Sequence, residues 1–410
     1  MFWPFISRYP ERGVADVAGK SYDYIIVGGG TAACVIASRL SEDPNVSVLV
    51  ISKGKVKDDW LNSMPIVGNA RENYGSDIDT IPSEPDEQWS GVPVRYFASQ
   101  ALGGASIHNG LQYTRGPPAN YNHWAALGND QWSFEKCEPY FKKLENASSQ
   151  PKAPYRGHNG PIHVRQDPSL NSVDNIEEAA KDMNLPVRND INNPNAPPEA
   201  LFEIEHMITE TGHRNSAQVG YLPKSLVLER QETLTICSGA VATRLQFNQD
   251  GTEATGVYIL DRLDQKSAKE CLVSPNREVI VSCGALISAQ FLMLSGIGPK
   301  EQLEQHKISL VRDMPGVGAN LNDHIASSIA FQVRLADSYI RLLNPLIAIW
   351  HLLLFIFTKT GIFSRSGARL CAFLSSENID EKTMTLKPPK DASDEQRRRD
   401  PHLPENAPDV

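Results

Sequence analysis

The stretch "DYIIVGGGTAAC", residues 23–34, leaves this chain few folds to choose from. An apolar strand, Tyr24 to Val27, runs directly into glycines and then into a helix expected over Thr31 to Leu40. A turn at 43–45 leads to a second apolar strand, Val46 to Ile51. Strand, helix and strand in that order form a crossover unit, and a crossover implies parallel pairing. Gly28, Gly30 and Ala33 are spaced as G-x-G-x-x-A at the junction, the context in which that pattern carries chemistry. Gly28 permits the tight turn, Gly30 lets backbone approach a pyrophosphate, and Ala33 lets the helix pack on the strand. The first N–H groups of the helix, at Thr31 and Ala32, have no intrahelical acceptor and carry partial positive charge, which suits phosphate. Dinucleotide binding on a Rossmann-like α/β sheet is therefore expected; the competing account of the glycines is a purely structural turn.

One customary residue is absent. The second strand of such a unit ends in an acid that binds ribose hydroxyls, but here "VLVISKGK" places Ser52 there with Lys53 and Lys55 beside it. A serine offers a single hydroxyl, and the lysines leave a 2′-phosphate, hence NADP, open at this point.

Composition narrows the partners. A net charge of -9 over 410 residues argues against nucleic acid or anionic membrane as the main partner, because an acidic surface is repelled by either. Small molecules fit better. The six cysteines lie far apart without a C-x-x-C pair, so reduced thiols are expected, with neither a zinc site nor a disulfide framework. The start "MFWPFISRYPERG" lacks a basic segment followed by an unbroken apolar one, so no leader and a cytoplasmic location are expected. The run "LIAIWHLLLFIF", Leu346 to Phe357, is shorter than the roughly 20 residues that cross hydrocarbon. It is expected to form a buried or partly exposed helix, with a monotopic membrane contact as the alternative.

Further along, residues 58–135 are rich in Gly, Pro and Asn and are expected to form long loops. A short helix is expected over 134–145. Strand patterns return at 234–247, 254–260 and 277–284, followed by the apolar helix "ALISAQFLMLSGIG". The charged, proline-rich segment 377–410 is expected to be a tail without regular structure.

Four segments then share one resemblance: "DYIIVGGGTAACVIASRLSED", "ALGGASIHNGLQYTRGPPANYNHWAALGNDQWSFEKCEPYFKKLE", "HRNSAQVGYLP" and "GALISAQFLMLSGIGPKEQLEQHKISLVRDMPGVGANLNDH". In that order, from about residue 21 to 376, the chain resembles the glucose-methanol-choline (GMC) flavin oxidoreductases, fungal members especially. The resemblance implies FAD rather than NADP. It implies a discontinuous FAD-binding domain at 20–115 and 220–325, and a partial α+β substrate domain at 150–219 and 326–376. It also implies that Gly103 and Gly104 let backbone pass close to the flavin, and that the backbone of Asn109, Gly110, Leu111 and Gln112 lines its ring. Ala242 would meet the adenine through main-chain groups, and His324 would be structural.

His108 has two readings. In family members with covalent flavin, a histidine just before the loop asparagine is tethered to the ring, and an imidazole nitrogen is nucleophilic near neutral pH. The other reading is a histidine that only bonds a loop carbonyl.

By the resemblance, the reaction is oxidation of an alcohol CH–OH, with hydride passing to flavin N5 and a histidine taking the hydroxyl proton. The H-x-x-G-T motif that carries that histidine does not occur in this chain, so no residue here is assigned a catalytic role. Two accounts follow: an alcohol oxidoreductase, in fungal secondary metabolism by the family's company, or a split or inactive FAD-binding piece. In either case uncovered apolar surface implies a complementing chain or a homo-oligomer.

Overall fold

The computed structural model describes residues 8–57, 59–70, 78–87, 90–166, 173–262, 269–324, 326, 328–335 and 338–408. Residues 1–7, read above for a leader, and the last two residues of the tail lie outside them. The chain divides into two compact units: residues 1–62, 70–108 and 216–330, and residues 63–69, 109–215 and 331–410.

The first unit is built on a seven-stranded sheet. Its order is Glu11–Arg12, Leu234–Ser238, Val48–Ser52, Ser21–Val27, Cys271–Val281, Ala254–Asp261 and Ala240–Phe247. The first five are parallel, with Ile25 opposite Leu49 on one side and Val279 on the other. The last two add as an antiparallel edge. All five residues of Val48–Ser52 are buried, which is why this strand reads as an unbroken apolar run. The helix Thr31–Leu40 forms over the expected residues and buries Ala33, Cys34, Ala37 and Ser38, the small residues of one helical face. The core gathers Ile25, Val27, Leu49, Ile51, Val257, Ile259 and Phe291.

Three expectations shift. The apparent single strand at 234–247 is two, broken at Gly239, whose φ is +70°. The 58–135 region carries a hairpin, Ile78–Pro82 with Arg95–Ser99, and a helix, Pro118–Ala126, beside its loops. The charged tail is also structured. Asp391 caps the helix Ala392–Arg399 by accepting from the Asp394 N–H (2.9 Å), and Arg398 pairs with Asp394 at 3.0 Å. Pro401 accepts from the Ala119 N–H (2.8 Å), so local capping and docking outweigh the low apolar content.

The second unit holds a four-stranded sheet, ordered Gln112–Tyr113, Glu205–His206, Ile162–Gln166 and Glu145–Ala147, and a three-stranded one. Its centre is ionic. Arg156 is fully buried and meets Glu145 (2.9 Å), Asp190 (3.0 Å) and Glu205 (2.6 Å). Arg115 also binds Glu145. Burial alone would raise Glu145's pKa, but the bonds and charge of Arg156, with Arg115, outweigh it and hold the carboxyl below its ordinary value. At Glu205 burial wins over Arg156, and the pKa is raised.

Because Glu145's pKa is depressed, the stability it contributes is present above its ordinary value of 4.5 and is lost as pH falls through the lowered one. A Glu145→Gln variant is expected to lose about 3–5 kcal/mol at neutral pH. It should also show a flatter acid limb than the parent in urea titrations repeated from neutral pH downward. An unchanged midpoint would mean that the ion pairs contribute nothing net.

Candidate functional site

The strand Ser21–Val27 delivers the chain to Gly28, whose φ is +100°, a conformation that disfavours a side chain. A Cβ there would lie 2.6 Å from the Ser282 carbonyl oxygen. Gly30, in extended backbone, is the N-cap of the helix Thr31–Leu40, and Thr31 and Ala32 at its mouth are exposed. Ala33, one residue on, is fully buried and needs its small size.

A second glycine turn closes on the first. The Gly103 N–H donates to the Gly29 carbonyl at 2.8 Å, and a Cβ on Gly104 would lie 2.8 Å from the Gly30 Cα. Thr31 Oγ1 (3.0 Å) and Ser106 Oγ (2.6 Å) both donate to the Gly103 carbonyl. Ser106 Oγ also accepts from the Ala217 N–H (3.0 Å). Residues 28–31 and 103–106, 72 positions apart at Thr31 and Gly103, thus form one backbone-lined cradle at a helix N-terminus. An added Cβ would come within 3 Å of a neighbour at Gly28, Gly29 and Gly104, whereas at Gly30 its nearest neighbour, the Ser282 carbonyl oxygen, would be 3.4 Å away; backbone gathered at a helix N-terminus suits phosphate.

At the end of the strand Val48–Ser52 the side chains take protein partners. Ser52 is fully buried beneath Gly29, and its hydroxyl donates to the Gly54 carbonyl (3.0 Å). Lys53 forms an ion pair with Asp79, which also accepts from Gln100. The nearest lysine therefore already has a carboxylate to neutralise. His108 ends the turn Gly104–Ile107, its N–H donating to the Ala105 carbonyl (3.2 Å). Ala242 lies on the strand Ala240–Phe247 opposite Ile259, half-buried against the core.

In the second unit, residues 109–112 are shaped by side chains rather than glycines. Arg214 donates to the Asn109 carbonyl (2.9 Å), to Asn109 Oδ1 (3.2 Å) and to the Pro65 carbonyl (2.9 Å). Burial lowers its guanidinium pKa to about 9. The Leu111 N–H bonds Asn109 Oδ1 (3.1 Å), and Leu111, fully buried, holds a left-handed φ of +58°. Met207 N–H meets the Leu111 carbonyl (2.8 Å), Ser366 donates to Gly110, and Gln112 pairs with His206. Arg214 and Ser106 stand inside recognised motifs, but neither role is legible in the sequence, because most of their partners are main-chain groups.

A cavity of about 620 Å³ in the second unit, lined by Asn122, Phe134, Glu138, Tyr155 and His402, contains none of these residues. His324, read as structural, has its N–H on its neighbour Asp323 (2.9 Å). Among the described residues no cluster of His, Cys, Asp and Glu could hold a metal ion.

The GMC oxidoreductase model matches residues 22–326. An oxygen-dependent choline dehydrogenase of Burkholderia ambifaria is 33% identical over 325 residues, covering 77% of this chain and 54% of that protein. The protein of the same description from Pectobacterium atrosepticum is 33% identical over 314 residues, covering 74% and 53%. Among solved structures, an FAD-dependent oxidoreductase from Chaetomium thermophilum superposes with a TM-score of 0.75 at 25% identity, over 86% of this chain and 62% of its own. A formate oxidase of Aspergillus oryzae superposes with a TM-score of 0.76 at 23% identity, over 93% and 65%, and shares the fold. The chain spans about half the length of the choline dehydrogenases it matches.

Replacing Gly104 by Ala forces a Cβ into the Gly30 backbone at a φ of +57°. The expected outcome is a loss of about 1–3 kcal/mol in thermal stability and loss of nucleotide binding in equilibrium dialysis. Gly110→Ala, where a new Cβ would meet only Gln112 Cγ, at 4.0 Å, should leave stability nearly unchanged.

Proposed function

The chain belongs to the GMC oxidoreductase family, and from that premise we propose that it binds FAD in its first unit and serves oxidation of an alcohol CH–OH group. The single observation that carries this reading is the closure of the Gly103–Gly104 turn onto the Gly28–Gly30 turn over a helix N-terminus. At Gly104 that closure admits no side chain, and the backbone it brings to the helix N-terminus supports a pyrophosphate there.

In this reading Gly28, Gly30, Thr31, Ala32, Gly103 and Gly104 hold the pyrophosphate by backbone groups, and Ala33 keeps the helix close to the sheet. Ser52 shapes the pocket floor by supporting Gly54 and Gly29. Ala242 meets the adenine side through the main chain. Within the second unit, Arg214 keeps Asn109 in place. When bound, the flavin supplies the hydride acceptor. The proton of the alcohol needs a base, and the family's motif for one is not in residues 1–410. The division of labour is therefore cofactor binding here, with the base supplied by a further segment or a complementing chain. A split or inactive FAD-binding piece is the second reading, favoured by that missing motif.

His108 directly precedes the ring-lining segment, and we assign it as the site of a covalent tether. His108 would hold the flavin by an imidazole nitrogen bonded to the ring methyl carbon in place of one methyl hydrogen; that hydrogen and the imidazole N–H hydrogen would leave with two electrons to dioxygen, as hydrogen peroxide.

The purified chain is expected to be yellow, with close to one FAD per polypeptide. After acid precipitation the colour should stay with the pellet of the parent and move to the supernatant for His108→Ala. Colourless, folded protein that takes up no added FAD would end the flavin assignment, whereas colour in the parent's supernatant would end only the tether. Anaerobic bleaching by a panel of primary and aromatic alcohols, with and without the adjacent reading frame co-expressed, separates the two readings: bleaching only on co-expression supports the first, and none in either case the second.

A further inference from the structure

At the centre of the second unit the charges do not balance. Three carboxyl groups, Glu145, Asp190 and Glu205, meet two guanidinium groups, Arg115 and Arg156. The side chains of Glu145, Arg156 and Glu205 are fully buried, and those of Arg115 and Asp190 nearly so. With every group ionised, one negative charge would be left without a counter-ion in a dry interior. That is far costlier than a neutral polar group in the same place.

Hydrogen bonding shows where the surplus falls. Arg156 spends all of its N–H donors: Nε on Glu145 (2.9 Å), one terminal nitrogen on both oxygens of Asp190 (3.0 and 3.1 Å), and the other on Glu145 (3.1 Å) and Glu205 (2.6 Å). Glu145 gathers further donors from Arg115 and from the Gly157 N–H (2.8 Å). Asp190 gathers the Tyr155 hydroxyl (3.1 Å) and the Asn192 N–H (2.8 Å). Glu205 has two bonds, from Arg156 and from Asn192 Nδ2 (3.2 Å), and both end on Oε2. Its Oε1 is buried and accepts no hydrogen bond. On the flanking strands its register partners are Tyr113 and Gln166, neither of them a cation. His206 and Arg165 pair one position along, where strand alternation turns them to the other face of the sheet, and Arg165 donates to the Ser364 carbonyl (3.0 Å). The phenols of Tyr113 and Tyr155, both raised by burial, are neutral. Burial likewise raises the Glu205 carboxyl above its ordinary 4.5, against the lowering effect of Arg156.

We propose that Glu205 is the proton site of this cluster: at neutral pH it is a carboxylic acid with its hydrogen on Oε1, which makes the five side chains neutral together. Removing that proton puts an uncompensated charge beside Asp190 and loosens the second unit, so its centre responds to alkalinity. The flavin assignment plays no part in this. For a carboxyl raised in the folded chain, the stabilising effect is complete below the ordinary 4.5 and is lost as pH rises through the raised value, the reverse of Glu145.

Infrared difference spectra and urea titrations of the 410-residue chain and of Glu205→Gln test it. Glutamine copies the neutral acid in shape, so the variant should fold, with a urea midpoint at pH 7 no lower than the parent's. Between about pH 5 and 9 the parent's unfolding equilibrium constant should climb more steeply than the variant's, by up to about tenfold per pH unit, the slope of one proton. At pH 7 the parent should show a carboxylic-acid C=O band that shifts in heavy water and that the variant lacks. A parent without that band, a band that Glu205→Gln retains, or equal pH slopes overturn the proposal. So does a Glu205→Gln chain that fails to fold or is weakened as much as Glu145→Gln, because an isostere of the protonated form must be tolerated.

Discussion

Everything at the candidate site depends on two stretches of backbone being allowed to touch. Gly104 rests on Gly30, and Gly103 bonds Gly29, only because no side chain intervenes. The sheet makes this possible from below: parallel pairing of the strands Ser21–Val27 and Val48–Ser52 puts the Gly28 turn at their common end, and Ser52 supports it there. Thr31 and Ser106 then pin the Gly103 carbonyl from two directions. The helix N-terminus beneath them carries N–H groups that have no intrahelical acceptor.

The second unit solves a similar problem by other means. Where residues 109–112 must hold an unusual path, only Gly110 lacks a side chain, and the left-handed residue is a leucine. The shape is imposed by bonds from Arg214, Ser366 and Met207. A guanidinium lowered to about 9 by burial is a costly fastener, and it spends its donors on carbonyl oxygens that a neutral residue could reach with fewer bonds. Such over-determination is what a non-glycine residue in the left-handed region requires.

The first unit was largely legible from sequence, and the reason is local. The helix Thr31–Leu40 and the fully buried strand Val48–Ser52 each carry a strong apolar period, and the G-x-G-x-x-A spacing has a geometric meaning of its own. The break at Gly239 was hidden because both flanking segments share one strand pattern. The structured tail was hidden because its order comes from an Asp391 cap and from docking of Pro401 on Ala119, contacts that hydropathy does not report. Ser52 shows the opposite case: its place in the sequence pointed outward to a ribose, while its hydroxyl serves the loop beside it. Arg214 escaped notice because its partners are main-chain atoms 105 and 149 residues away.

The buried ion cluster has a consequence for how the second unit forms. Arg115, Glu145, Arg156, Asp190 and Glu205 come from five separate segments, and none of these charges is tolerable in a dry interior until its opposites have arrived. Partial assembly is thus penalised, and the long loops must close nearly together. Synthesis from the ribosome would leave Arg115 and Glu145 hydrated until Glu205 has emerged, so this half of the molecule matures late and in one step.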